Sequence, residues 1–181
     1  MEDKLNVIRY NASLQKLAFT FCSGNPYLDQ FIKSPLSLDN NFGTTYVLLS
    51  DDQSIIIGYY NISMGYIEQI DYEIRKKLGG AVHINCFALD EKFHGLLQIE
   101  TNNGVKVNLS DVMLWDCLDR IEKIRLERIG FAFITLCSTE EGYSLYERNG
   151  FLDLEDDMNF SVEESDVKCK LMYMTVEFEE I

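Results

Sequence analysis

AVHINCFALDEKFHGLLQIETNNGVKVNLSDVMLWDCLDRIEKIRLER, residues Ala81 to Arg128, decides how this chain is read. Its front, AVHINCFALD, is nearly all apolar, the pattern of a strand covered on both faces. Its back has apolar residues at Leu109, Val112, Met113, Leu118, Ile121 and Ile124, the stripe of a long amphipathic helix, with Ser110 or Asp111 available as cap. A strand, a loop and a capped helix in this order often hold a phosphate on the helix N-terminus. Between them lies LLQIETNNGVKV, two β-rich runs around the strong turn TNNG. A hairpin insertion is therefore expected over 96–107, projecting from the loop and returning the chain near where it left.

Outward from that stretch, punctuation marks the other elements. LNVIRY alternates like a strand, and ASLQKLAFTFCSG places Leu14, Leu17, Ala18 and Phe21 on one helical face that Gly24 ends. PYLDQFIKSP opens with Pro26 at a helix start and closes before Pro35. TTYVLLSDDQSIIIGYYNIS reads as an antiparallel hairpin around Ser50 to Gln53. After the long helix, FAFITLC is a buried strand, and STEEGYSLYERNGF carries a capping box, Ser138 with Glu141, and a stop at Gly150. FLDL and KLMYMTVEF add two strands around an acidic stretch. The order β-α-α-β-β-β-α-β-α-β-β predicts an α+β fold, a mixed and mostly antiparallel sheet flanked by helices on both faces.

Composition sets the frame. The chain has 181 residues, 46% of them hydrophobic, and no low-complexity linker, so one domain over 1–181 is expected. The first residues carry charge and no apolar leader, and no run of about 18 apolar residues occurs, which predicts a cytoplasmic protein without a membrane segment. The five cysteines lack a C-x-x-C pair and lie mostly in apolar runs, so reduced, buried thiols are expected. Only His83 and His94 supply imidazoles, without metal-ligand spacing, and no metal site is expected. Net charge is −14, which disfavours nucleic acid as a partner.

FALDEKFHG, SLYERNGF and the order of elements together resemble the GNAT superfamily of acyl-CoA-dependent N-acetyltransferases, over about residues 5 to 178. In that family a strand ending in a small-apolar-Asp pattern precedes a Gln or Arg and a glycine, a place that His94-Gly95 fills here. A tyrosine stands four residues before a Gly-Phe pair, matched by Tyr146, Gly150 and Phe151. FCSGNPYLDQFI, with Gly24, Leu28 and Asp29, is similar to the early helices of a toxin-like subgroup. The departure lies in the phosphate loop: Asn108-Leu109-Ser110 aligns with Gly-x-Gly, so two of its glycines are missing and the hairpin precedes it.

The resemblance implies acetyl-CoA as co-substrate. Its pantetheine arm would pair with backbone at Phe87, Ala88 and Leu89, and its diphosphate would lie on His94, Gly95, Asn108, Leu109, Ser110 and Asp111. Donors need only be outward amides and the positive helix end, so the loop can act without its glycines. Attack of a neutral amine on the thioester needs oxyanion donors and an acid for the thiolate. Tyr146 is implied as that acid, because a phenol with pKa near 10 stays protonated at neutral pH. Glu68, expected after the third strand, and His83 or Asn85 on the fourth are candidate bases or acceptor-positioning groups. Residues 153 to 168 carry seven acids and one base, net −6, which would favour a cationic small-molecule or peptide amine. A homodimer is compatible with the sequence. Two alternatives stand beside this reading: a toxin-like enzyme acetylating aminoacyl-tRNA, and a non-catalytic module that kept the fold and lost the cofactor.

Overall fold

A computed structural model describes residues 5–95, 98–100, 106–160 and 169–176. The chain divides into two compact units, Met1–Ile62 with Cys86–Arg120 and Ser63–Asn85 with Ile121–Ile181. The boundaries fall inside β-strands and a helix.

In the first unit, β1 (Val7–Arg9), β2 (Thr44–Leu49) and the opening of β3 (Ile56–Asp71) pair antiparallel, with Thr44 opposite Ile62. Helix α2 (Pro26–Lys33) forms where its punctuation predicts, because the Asn25 side chain accepts from the amides of Tyr27 and Leu28 and Pro26 occupies the first turn. The preceding helix is shorter than the apolar stripe predicts. After a 3-10 turn at Ala12–Leu14, α1 covers only Gln15–Ala18. The Thr20 hydroxyl donates to the Leu17 carbonyl and Phe21 N–H to Ala18, bonds that tighten the chain out of the helix while Phe21 stays buried.

Adjacent residues on β3 show how helices cover it on two faces. The Tyr59 hydroxyl donates to the Leu28 carbonyl of α2 at 2.7 Å, and its ring meets Phe21 and Phe31. Tyr60 faces the other way and donates to Asp116 of α3 (Leu109–Glu127) at 2.6 Å. Arg120 completes that lock, its Nε 2.8 Å from the Tyr60 hydroxyl and its guanidinium 4.2 Å from the centre of the Tyr46 ring. Gly58 is required between them, since a Cβ there would lie 2.6 Å from Leu89 Cδ2 and 2.7 Å from Met113 Sδ.

In the second unit, β3 runs on to Asp71 and turns through Tyr72 into β4 (Ile74–Leu89), a longer hairpin than the sequence indicates. Tyr72 adopts φ 55° at this turn, a left-handed conformation without the glycine or asparagine that would announce it. β4 pairs in parallel with β7 (Phe133–Ser138), which pairs antiparallel with β10 (Lys170–Thr175). β8 (Leu152–Asp153) adds to β10, and β9 (Met158–Asn159), inside the acidic stretch, pairs with β3 at Glu68 and Gln69. Ile67, Phe160 and Tyr173 form the centre of this unit's core. All these pairings are antiparallel except β4 with β7, which gives the mixed α+β sheet predicted from element order.

Two local expectations are corrected. The helix after β7, α4 (Tyr143–Arg148), starts too late for Ser138 to cap it; the Ser138 hydroxyl donates to the Thr139 carbonyl, and the Thr139 hydroxyl accepts from Gly142 N–H. Cys137 and Cys169 form a disulfide, with Cα atoms 5.6 Å apart, although all five cysteines were expected to be reduced. The β7–β10 register, Ser138 opposite Lys170, brings them together, and a sequence separation of 32 does not reveal it. Cys86 and Cys117 are buried free thiols and Cys22 is half-buried. Among the described residues no helix is long and apolar enough to cross a membrane.

Candidate functional site

The residues aligned with cofactor binding all lie in the first unit. Ala88 and Leu89 end β4 and are buried, with Phe87 half-buried before them. The parallel ladder with β7 stops at Ile84 opposite Leu136, while β4 itself continues to Leu89. The chain then makes a 3-10 turn, Glu91–Phe93, capped by Asp90. His94 Nε2–H donates to the Leu89 carbonyl at 3.0 Å, so the imidazole folds back onto the strand end. Gly95 follows at φ +66°, and among the described residues nothing lies within 4 Å of the position a Cβ would occupy.

β5 (Gln98–Glu100) and β6 (Lys106–Asn108) pair antiparallel, Gln98 opposite Asn108, as a small separate sheet. The TNNG turn lies outside the described residues. Asn108 belongs to this ribbon and α3 starts at Leu109, so Ser110 and Asp111 are first-turn residues and not caps. The first amides of an α-helix have no partner within it. Here Leu109, Ser110 and Asp111 form the first turn of α3, with Ser110 half-buried and Asp111 buried. Asp111 already places negative charge at the positive end of the helix, so a diphosphate there shares that end with it.

The catalytic candidates all lie in the second unit. Tyr146 sits in α4, buried, its ring edge-on to Phe151 at 5.8 Å. The spacing Tyr-x-x-x-Gly-Phe has a backbone cause: Phe151 N–H donates to the Tyr146 carbonyl and Gly150 N–H to Glu147, with Gly150 at φ +93°. That is a Schellman stop, with its usual apolar contact between the first and last residues of the motif.

Glu68 and His83 are held by different partners. Glu68, placed inside β3 and not after it, pairs with Arg75 at 3.0 Å across the hairpin. His83 is buried; its Nδ1 lies 2.9 Å from Thr135 Oγ1 and its ring packs on Phe160. Burial lowers its pKa from 6.5 to about 4, so the imidazole is neutral at physiological pH and a weak base. Asn85 exchanges hydrogen bonds with Ser63 at 2.9 and 3.1 Å. Among the described residues no cluster of three or more His, Cys, Asp or Glu could hold a metal. Asp90, the acid that closes the small-apolar-Asp pattern and was given no role of its own, accepts from the backbone amides of Cys22 and Lys92.

No protein-family model matches this chain, and no curated protein matches it in sequence. Solved structures match it in fold. A structure of AtaTR bound with AcCoA has TM-score 0.71 at 15% identity, covering 96% of this chain and 94% of that one. A mutant of KacT has TM-score 0.65 at 18% identity, covering 96% and 95%. An acetyltransferase of the GNAT family from Staphylococcus aureus Mu50 has TM-score 0.57 at 14% identity, covering 96% and 100%. The fold is therefore that of the GNAT acetyltransferases.

Proposed function

We propose that the chain is an acetyl-CoA-dependent N-acetyltransferase acting on a primary amine. The observation that carries this reading is β4, which continues to Leu89 after its ladder with β7 has ended at Ile84. A pantetheine arm contains amides that bond to strand backbone as an added strand does, and Phe87, Ala88 and Leu89 supply that backbone. The amides of Leu109, Ser110 and Asp111, the Ser110 hydroxyl and the open turn at His94-Gly95 would hold the diphosphate. When bound, acetyl-CoA supplies the activated acyl group.

The reaction then runs by direct attack. The amine lone pair adds to the thioester carbonyl, a C–N bond forms and the C–S bond breaks. Tyr146 donates its phenolic proton to the departing thiolate, the proton lost by nitrogen leaves through water, and water returns a proton to the phenolate. A neutral His83 assists by orientation, and Glu68, tied to Arg75, shapes the acceptor side. The acids of residues 153 to 168, of which 161–168 lie outside the described residues, favour a cationic acceptor but also stabilise its ammonium form, so the proton exit governs the rate at low pH.

A panel of primary amines with acetyl-CoA, scored by free thiol, tests this. Acetylation of at least one amine above the hydrolytic background is expected; thiol release from none, at saturating acetyl-CoA, removes the enzyme reading. A second reading has support in the toxins among the fold neighbours: the acceptor would be the amino group of aminoacyl-tRNA. It must overcome a net charge of −14, and retention of tRNA that weakens with salt would favour it.

A further inference from the structure

Asp90 follows the last residue of β4 and is only 3% exposed. A buried carboxylate is costly unless donors meet it. Cys22 N–H donates to its Oδ2 and Lys92 N–H to its Oδ1, each at 3.1 Å. The backbone closes the same junction: Asp90 N–H donates to the Ile57 carbonyl and Glu91 N–H to the Cys22 carbonyl, both at 2.8 Å. One residue thus joins three segments, the start of β3 through its backbone N–H, and the turn after α1 and the turn after β4 through its carboxylate.

Capping the 3-10 turn needs a single side-chain oxygen, which a serine would provide as well. The second oxygen of Asp90 reaches Cys22, 68 positions away in the chain. Cys22 leads into a loop that is itself tightly bonded, with the Asp29 carboxylate accepting from Ser23 N–H at 2.6 Å and from the Ser23 hydroxyl at 2.7 Å. Gly24, at φ +84°, sits against Glu91, whose Oε2 would lie 3.7 Å from a Cβ there. The FCSGNPYLD stretch is therefore a rigid block, and Asp90 is its side-chain attachment to the end of β4.

We propose that Asp90 is a positioning residue for the acyl donor. Through the Cys22 and Lys92 amides it holds the Leu89 backbone and the His94-Gly95 turn in the arrangement that receives the pantetheine and diphosphate. This rests on the acetyltransferase reading above. Asp90 touches neither donor nor acceptor; it acts by fixing backbone that does.

Asp90→Ser separates capping from attachment, because it retains one oxygen for Lys92 and cannot also reach Cys22. The expected result is a rise of about tenfold in KM for acetyl-CoA with kcat within about twofold, the signature of lost donor binding. Asp90→Asn, which presents an N–H2 to one of the two amides, should behave alike. An unchanged KM in Asp90→Ser overturns the proposal, as does a fall in kcat with KM unaltered. Should both variants fail to fold, amide hydrogen exchange in the unaltered protein decides: exchange at Cys22 and Lys92 should slow when acetyl-CoA is added. Binding of acetyl-CoA with unchanged exchange at those amides overturns the positioning role alone, whereas no binding at all overturns the acetyltransferase reading as well.

Discussion

The site residues proposed in the two units of this chain are of different kinds. In the first, the groups assigned to the acyl donor are mainly backbone: the end of β4 at Phe87 to Leu89, the open turn at Gly95 and the first amides of α3. In the second they are side-chain atoms: the Tyr146 hydroxyl, the His83 ring and the Glu68 carboxylate. Backbone donors tolerate a change of side chain, so the first unit can differ at Asn108 and Ser110 from the glycines of the GNAT pattern and still present amides. Side-chain chemistry has no such freedom. Substitutions should accordingly reveal themselves as donor affinity in the first unit and as turnover in the second.

The largest effect is expected from Tyr146→Phe. Loss of the acid should lower kcat about 10³-fold, roughly 4 kcal/mol in the barrier. Acetyl-CoA affinity should stay unchanged, because the Schellman bonds and the Phe151 contact that seat the ring do not involve the hydroxyl. A fall in affinity of similar size, read by calorimetry, would erase the division between the units. Next comes the disulfide of the second unit. It closes a loop across a separation of 32, and breaking it with Cys169→Ser or reductant should remove about 3–4 kcal/mol, read as a lower denaturant midpoint. Donor affinity should not follow it.

His83 gives the second unit a pH dependence. Its folded pKa, about 4, lies below the ordinary 6.5 because burial disfavours the charged ring. The unfolded chain therefore binds the proton more readily, and the stabilising contribution is complete above pH 6.5 and lost as pH falls towards 4. The loss amounts to about 3 kcal/mol. His83→Gln should flatten the melting-temperature profile in that window, and an unaltered slope would show that another group titrates there. A smaller effect belongs to the first unit. Gly58→Ala pushes a methyl against Leu89 and Met113, and should cost about 1–3 kcal/mol of stability and loosen the strand end that receives the donor.

The sequence revealed the elements whose punctuation is local. Pro26 and Pro35 announced α2, the β-rich runs around Ser50 to Gln53 announced the β2–β3 hairpin, and Tyr146 to Phe151 announced a helix stop. What stayed hidden depends on partners distant in the chain or on conformations the residue type disguises. Strands β3 and β4 extend through 64–80 because Tyr72 turns the chain without a turn residue. The Ser138 and Glu141 spacing matched a capping box, yet strand pairing with β10 claimed Ser138. β9 and the disulfide are consequences of register, which no local pattern encodes. Of the site, Tyr146 was marked by spacing and Asp90 by the small-apolar-Asp pattern, whereas the bond between Asp90 and Cys22 was concealed because the two lie 68 positions apart.

Isothermal titration of acetyl-CoA into the unaltered protein and into Tyr146→Phe, side by side, addresses the central claim most directly. Saturable binding to one site is predicted, with dissociation constants equal within about twofold, while only the unaltered protein releases thiol when an amine acceptor is supplied. Absence of binding to both proteins at millimolar acetyl-CoA would contradict the account and leave a GNAT fold employed without its acyl donor.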